Sequence, residues 1–289
     1  MRRHYVNRRQ NSFLAACIAC LLVAGCGSPA GRSPNPAQEA ARAQNQAGTR
    51  ALESGNAAGA LILYRASLTS AESIEDLDLA GANLLNIALV HAQLGQWTEA
   101  HTAADKVIAA PRHYGQASAA QAAARKAFIH LDEGDTQAAL RWADTAERGC
   151  AVPCSFAAAL ENLRAHLALE QTRTDAAIQH ASRAAELAAA PAMEVERASA
   201  WRLLGRAYTR AGRTTEAAQV LANALELDRR LGLSARIALD LIYAGDNEAR
   251  RNEPARAREF YERAVTVYVA AGNASGADSA RSRLGALAK

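Results

Sequence analysis

The sequence predicts an all-α solenoid of about six helix pairs followed by a final capping helix. Its first sign is a Gly or Ala that recurs at a nearly constant interval, at Gly48, Ala88, Ala127, Ala165, Gly205, Gly245 and Gly285. Twelve residues after each of the first six stands an alanine, at Ala60, Ala100, Ala139, Ala177, Ala217 and Ala257. Self-similarity of this kind is typical of stacked helix pairs, because two facing small residues let paired helices approach closely. A glycine seven residues after a small position marks the expected end of a first helix, at Gly55, Gly95, Gly134 and Gly212.

Residues 1–25 have the features of a secretory signal peptide. A basic start with Arg2, Arg3, Arg8 and Arg9 precedes an apolar run over 13–24. The run is shorter than the roughly 20 residues that a membrane-spanning helix needs. Residues 22–26 read LVAGC, which resembles the bacterial lipobox, and the resemblance implies that Cys26 becomes the lipidated first residue of the mature chain. An ordinary signal peptide that happens to contain Cys26 is the alternative.

Residues 26–36 follow as the lipidated Cys and a flexible tether, because Pro, Gly and Ser prevail there. The pair Asn35-Pro36 is expected to cap and open the first helix of a solenoid domain over 37–289. Gly27 stands where the Asp of inner-membrane lipoproteins would lie, so the resemblance implies an outer-membrane anchor facing the periplasm. At the other end, residues 276–289 repeat only the first helix of a unit and are expected to cap the solenoid.

The stretch 201–228 resembles the tetratricopeptide repeat family. The signature positions are filled by Trp201, Leu204, Gly205, Tyr208, Gly212, Ala217, Leu221 and Ala224. Other units match less fully, with Thr172 and Asn252 in place of the turn glycine. The resemblance covers about residues 36–289 and implies a right-handed superhelix that binds proteins or peptides. Because the interval between units exceeds the family's period of about 34 residues, longer helices or longer inter-repeat loops are expected.

Cys150 and Cys154 are expected to form a disulfide. They flank a helix-breaking Pro153 between the third and fourth repeats, and an exported protein meets oxidising conditions. A zinc site and a redox-active pair are the alternatives, but no companion ligands stand at zinc spacing and the spacing is not C-x-x-C. The sequence predicts no metal site and no cofactor.

Charge and motifs argue against nucleic-acid binding and catalysis. Without residues 1–25 the chain has 29 basic and 29 acidic residues, so the net charge of +4 disappears. The charge is nevertheless uneven, at −5 over 26–194 and +5 over 195–289. None of the seven His lies in H-E-x-x-H and no Ser lies in G-x-S-x-G. His91 and His130, one repeat apart, are interpreted as packing residues, with a ligand ladder as the alternative.

The family resemblance implies that the first helix of each unit contacts a ligand. The residues at its ligand-facing positions are Asn86, Arg125, Asn162, His166, Arg202, Arg206 and Arg210. Three of them, Arg202, Arg206 and Arg210, are spaced four residues apart on one helical stripe, which suits binding of carboxylates or phosphates. The alternative is that these arginines form charge pairs with acids on neighbouring helices and serve stability rather than binding.

The first functional hypothesis is therefore a non-enzymatic scaffold: an outer-membrane lipoprotein that holds protein partners for envelope assembly. A regulator or subunit of a cell-wall enzyme and a carrier of anionic peptide ligands are the other hypotheses. Membrane contact is expected only through the lipid.

Overall fold

The computed structural model describes residues 35–53 and 55–287, and the regular elements in these ranges are all helical. They are α1 (Pro36–Glu53), α2 (Ala57–Ser73), α3 (Leu77–Gln93), α4 (Trp97–Ala109), α5 (Pro111–Tyr114), α6 (Gln116–Glu133), α7 (Thr136–Gly149), α8 (Ala157–Glu170), α9 (Thr174–Leu187), α10 (Glu194–Arg210), α11 (Thr214–Arg230), α12 (Ser234–Arg250), α13 (Pro254–Ala270) and α14 (Ala274–Ala286), with a 3-10 turn at Pro191–Met193.

The predicted all-α solenoid of six helix pairs and a final helix is confirmed. The pairs are α1/α2, α3/α4, α6/α7, α8/α9, α10/α11 and α12/α13, and each second helix packs against the first helix of the next pair. The four-residue helix α5 and the 3-10 turn occupy two of the inter-repeat links, and the fifth and sixth pairs each combine two 17-residue helices. Both longer helices and longer links therefore account for the long period.

The recurring small residues are contact points between the two helices of a pair. A Cβ added to Gly205 would lie 2.4 Å from Leu221 Cγ on α11, and one added to Gly245 would lie 2.4 Å from Tyr261 Cε1 on α13. All six alanines of the second series are fully buried, at Ala60, Ala100, Ala139, Ala177, Ala217 and Ala257. The spacing of small residues in the sequence therefore reflects close helix contact.

The turns within the pairs require a left-handed backbone. Gly95 and Gly212 have φ of 68° and 78°, a region that glycine enters without steric cost. Thr172 and Asn252 occupy the same turn position in other units and have φ of 58° and 61°. The register of the repeat therefore fixes the turn conformation even where the residue is not glycine.

Apolar clusters lie at the junctions between the pairs. One joins α8 and α9 to α10 through buried side chains such as Leu169, Ala181 and Leu204. At the C-terminal end, Tyr268 of α13 lies against Gly276 of α14, which closes the array as predicted. Among the described helices, none combines the length and the hydropathy needed to cross a bilayer.

Candidate functional site

The first helices of successive pairs lie side by side and form what we call the inner face of the solenoid. Helices α1, α3, α6, α8, α10 and α12 follow one another in contact, and Arg283 of α14 reaches Asp246 of α12. Residues four apart on such a helix share one side, so arginines at i and i+4 are presented together. Two cavities open on this face, and each contains residues that the sequence predicts to bind a partner.

The first cavity, here called the basic pocket, has a volume of about 280 Å³ and lies on α10, α12 and α14. Its lining consists of Arg206, Thr209, Arg210, Tyr243, Asp246, Arg250 and Arg283. Four guanidinium groups thus face a single carboxylate. Because arginine stays charged at any physiological pH, the pocket carries a formal charge of about +3.

Contacts with the protein fix three of the four arginines. Arg206 lies 4.7 Å from the centre of the Tyr243 ring and 3.6 Å from the Glu170 carboxylate. Arg210 donates through Nη1 to the carbonyl of Leu169, and Arg283 is held by Asp246. These contacts occupy only some of the five N–H donors of each guanidinium and leave others for a ligand.

Asp246 is the carboxylate in the lining of the basic pocket. Its Oδ1 accepts hydrogen bonds from Arg283 Nε at 3.0 Å and from the Tyr261 hydroxyl at 2.7 Å. Burial, with the Asp246 carboxylate as a second cause, raises the pKa of Tyr261 far above its ordinary value, so the phenol remains a donor. Arg250 is exposed, and it forms no ion pair with any other residue that the structure describes. It is the guanidinium most available to an incoming anion.

Arg202 does not share this exposed position, which corrects the prediction of a three-arginine stripe. Its side chain is buried on α10, donates through Nε to Asp240 Oδ1 at 2.6 Å and also binds the Asp228 carboxylate through Nη2. Both aspartates are fully buried. The acids that neutralise Arg202 come from α11 and α12, so it joins helices and is not available to a partner.

His166 lies on α8, near enough to Arg206 of α10 for the guanidinium charge to act on its ring. Desolvation and the neighbouring Arg206 charge lower the pKa of His166, so the ring is neutral at neutral pH. Asn162, one turn earlier on α8, donates its Nδ2 hydrogen to the Glu196 carbonyl at 2.9 Å. Asn162 is thus buried between α8 and α10, where it fixes the approach of the helices.

The second cavity, here called the central pocket, has a volume of about 320 Å³ between α3, α6, α8 and α10. Its lining consists of Leu85, Gln121, Ala124, Arg125, Phe128, Ser155, Phe156, Ala159 and Glu196. Desolvation lowers the pKa of Arg125, and this side chain forms no hydrogen bond or ion pair with any other described residue. Asn86 is half-buried on α3 and lies outside both cavities.

The remaining predicted sites lie away from the inner-face cavities. Cys150 and Cys154 form a disulfide in the segment between α7 and α8, with their Cα atoms 5.5 Å apart. The expected lipidation site, Cys26, falls outside the described residues. His91 is buried against Gln96, with Nδ1 and Oε1 2.6 Å apart, which agrees with its interpretation as a packing residue.

Sequence reasoning missed Tyr243, Asp246, Arg250 and Arg283. Arg250 stands at the position of the sixth unit that Arg210 occupies in the fifth, and Asp246 corresponds in the same way to Arg206. The repeat register was therefore a usable signal for both. The whole arrangement can bind an anionic group of several carboxylates or phosphates, because guanidinium forks match these groups in charge and geometry.

Comparison with known proteins supports the repeat assignment. Residues 198–230 match the tetratricopeptide repeat model. No curated protein matches the sequence. One similar solved structure is the APC/C hetero-tetramer Cut9–Hcn1, with 17% identity and a TM-score of 0.63 over 85% of this chain and 43% of that chain. Another is a Rap protein complexed with competence and sporulation factor, with 15% identity and a TM-score of 0.60 over 84% and 73%.

A third similar structure is a signal transduction ATPase with a tetratricopeptide repeat sensor from Pyrococcus horikoshii. It has 12% identity and a TM-score of 0.62 over 77% of this chain and 34% of that chain. This chain thus spans less than half the length of the first and third of these proteins. The likeness is one of fold: the chain contains a tetratricopeptide repeat at 198–230 and has a tetratricopeptide-repeat solenoid architecture.

Proposed function

We propose that this tetratricopeptide-repeat chain is a scaffold that holds a protein partner by an acidic segment bound in the basic pocket. The observation behind the proposal is the placement of four arginines around one carboxylate on the inner face. A segment with two or three Asp or Glu side chains would neutralise the pocket. Bidentate guanidinium–carboxylate pairs would also fix the direction of that segment.

The pocket is prepared for such a ligand before binding. Arg206 is stacked on Tyr243, and Arg283 is held by Asp246, so the binding of an acidic segment orders few additional side chains. Arg250 and the free donors of Arg210 then supply the strongest new contacts. The net charge of +5 over residues 195–289 would attract an acidic partner from a distance and make association sensitive to salt.

The solenoid fold favours protein or peptide partners over small molecules. In the similar structures named above, Cut9 is assembled with Hcn1, and the Rap protein is complexed with competence and sporulation factor. An extended inner face suits the same use here, since stacked repeats create long concave surfaces. We therefore propose a binding role without catalysis.

For location, we propose an outer-membrane lipoprotein that faces the periplasm and acts in envelope assembly. The support is the sequence alone: the basic start, the apolar run at 13–24 and the lipobox-like residues 22–26. Buried acyl chains contribute roughly 0.8 kcal/mol per CH₂, so several long chains would anchor the protein firmly. Incorporation of labelled palmitate into wild type and Cys26→Ala tests this location, and equal labelling and membrane retention of both would refute it.

The binding proposal is tested with a fluorescent octapeptide of alternating Glu and Gly, prepared with a free or an amidated C-terminus. The double variant Arg210→Gln with Arg250→Gln should bind the peptide at least tenfold more weakly than wild type. The control double variant Arg112→Gln with Arg258→Gln removes the same charge from exposed positions on α5 and α13 and should bind like wild type.

Two comparisons sharpen the result. Raising the salt from about 50 mM to about 500 mM should weaken wild-type binding strongly and the pocket variant little, because screening acts on the charges that the variant lacks. A loss of binding on amidation alone would assign the pocket to a terminal carboxylate. If the pocket and control variants bind equally well at every salt concentration, the basic pocket is not the partner site.

A further inference from the structure

A cluster of two imidazoles and one carboxylate lies where the second and third helix pairs meet. His101 comes from α4, and His130 and Glu133 come from α6. Glu133 Oε2 lies 3.0 Å from His101 Nε2 and 3.0 Å from His130 Nδ1. The two rings lie with their centroids 4.5 Å apart and their planes tilted by 38°. We propose that these three side chains form a binding site for a divalent transition-metal ion of the Zn²⁺ type.

The spacing of the donor atoms suits such an ion. One ligand atom from each residue can be chosen so that all three lie within 4.8 Å of one another. Zn²⁺ binds imidazole nitrogen and carboxylate oxygen at about 2.0–2.2 Å, so neighbouring ligands of a tetrahedral ion stand roughly 3.3 Å apart. Small side-chain rotations on two packed helices therefore suffice to close the site. The fourth position would be left for water.

Two nitrogen atoms of the cluster have no hydrogen-bond partner among the described residues, whereas His101 Nε2 is hydrogen-bonded to Glu133 Oε2 at 3.0 Å. Nδ1 of His130 is buried and makes no aligned hydrogen bond, even though Glu133 Oε2 is close to it. Nδ1 of His101 is buried and has no hydrogen-bond partner among the described residues. Buried polar atoms normally have partners. An ion between the rings and the carboxylate would use the electron pair of His130 Nδ1.

Burial and nearby charges act on His130, one of the three proposed ligands. Desolvation, followed by the neighbouring His101, lowers the pKa of His130, and Lys126 acts in the same direction, whereas Glu133 and Asp135 oppose it. Lys126 itself is held by Asp105, with 2.7 Å between Nζ and Oδ1. The ligand side chains remain about one-fifth exposed, so an ion and its water can enter from solvent.

The donor set decides the class of ion and its affinity. Two imidazoles disfavour Mg²⁺ and Ca²⁺, which prefer oxygen ligands, and favour Zn²⁺, Co²⁺, Ni²⁺ and Cu²⁺. No carboxylate or carbonyl of the described residues orients the second nitrogen of His101, and such a contact is worth about 10–100-fold in affinity. We therefore expect a micromolar rather than a nanomolar dissociation constant.

This site departs from the expectation of no metal that the sequence supports. His101 and His130 stand in different repeat units, on helices that meet only in the folded solenoid. No local sequence motif therefore indicates a metal site. Because the ligands belong to α4 and α6, a bound ion would join the second pair to the third. Binding should therefore raise the thermal stability of this junction.

The test uses the full mature chain without a polyhistidine tag, freed of metal with EDTA and then dialysed. Titration with ZnCl₂ should show one site with a micromolar dissociation constant and a higher Tm. Addition of CoCl₂ should give the visible absorption of a four- or five-coordinate Co²⁺ ion. Excess MgCl₂ should leave this absorption unchanged, because Mg²⁺ does not displace the bound Co²⁺. Thiols are counted beforehand, so that reduced Cys150 and Cys154 are excluded as ligands.

Three variants assign the site. His130→Gln and Glu133→Gln should each bind Zn²⁺ at least tenfold more weakly and lose the cobalt spectrum. His180→Gln is the matched control, since His180 is another half-buried histidine beside a glutamate, with 2.8 Å between Nδ1 and Glu161 Oε2. Circular dichroism without metal shows whether each variant is folded. Failure of the wild type to bind, or equal binding by the folded variants, would overturn the proposal.

Discussion

Arg202 of α10 and Asp240 of α12 form a buried ion pair that joins two successive repeats. The Nε donor and the Oδ1 acceptor are 2.6 Å apart, and Asp240 has no exposed surface. The same guanidinium binds Asp228 at the end of α11, so one cation serves two carboxylates. One oxygen of each aspartate, Oδ1 of Asp228 and Oδ2 of Asp240, remains without a hydrogen-bond partner among the described residues.

We expect Arg202→Gln to destabilise the fold strongly. Removal of one partner from a buried ion pair leaves an uncompensated charge and typically costs about 3–5 kcal/mol. Here two carboxylates lose their partner together. Urea unfolding followed by circular dichroism should show a lower midpoint for Arg202→Gln, while Arg258→Gln, an exposed arginine on α13, should unfold like wild type. If both variants unfold with the same midpoint as wild type, Arg202 has no structural role.

The second prediction concerns pH. Burial, reinforced by the Asp228 charge and opposed by Arg202, raises the pKa of Asp240 to about 7. The folded protein therefore binds a proton that the unfolded chain, with an aspartate pKa near 3.8, releases. The stability from this proton is fully present below about pH 3.8 and is lost as the pH rises through about 7. Between these values Asp240 makes the wild type less stable with increasing pH.

Asp240→Asn isolates this effect, because the amide imitates the protonated carboxyl. The difference in unfolding free energy between variant and wild type should shift by about 1–3 kcal/mol in favour of the variant from pH 5 to pH 8. The comparison uses the difference between the two proteins because His166, whose pKa is lowered, makes both of them more stable with increasing pH. This contribution cancels in the difference. Arg236, the other cation near the cluster, does not titrate in this range. If the difference in unfolding free energy stayed constant from pH 5 to pH 8, Asp240 would be ionised throughout this range.

The repeat pattern allowed most of the fold to be predicted. Steric contact at Gly205 and left-handed turns at Thr172 and Asn252 recur at fixed spacing, so even units with atypical residues could be placed. Arg206 and Arg210 were correctly placed on the inner face for the same reason. Whether they bind a partner stays a prediction.

Pairing across the solenoid could not be predicted in this way. The partners of Arg202 stand 26 and 38 residues further along the chain, and only the packing of α11 and α12 brings them to the guanidinium. The helical stripe specifies which side of α10 Arg202 faces, but it does not specify which acids lie opposite. His101 and His130 show the same limit, since neither helix contains both ligands.

The third prediction compares two glycines at the same repeat position. A Cβ at Gly205 would lie 2.4 Å from Leu221 Cγ, whereas a Cβ at Gly285 would meet nothing within 4 Å. Gly205→Ala should therefore destabilise the protein by about 1–3 kcal/mol, since overpacking moves α10 away from α11. Gly285→Ala should be neutral or stabilise α14 by up to about 1 kcal/mol, because alanine favours helix over glycine. Urea unfolding of both variants checks this, and Leu221→Ala combined with Gly205→Ala should cost less than the two single changes together. Equal effects of the two glycine substitutions would mean that helix propensity, and not close approach, determines the residue at this position.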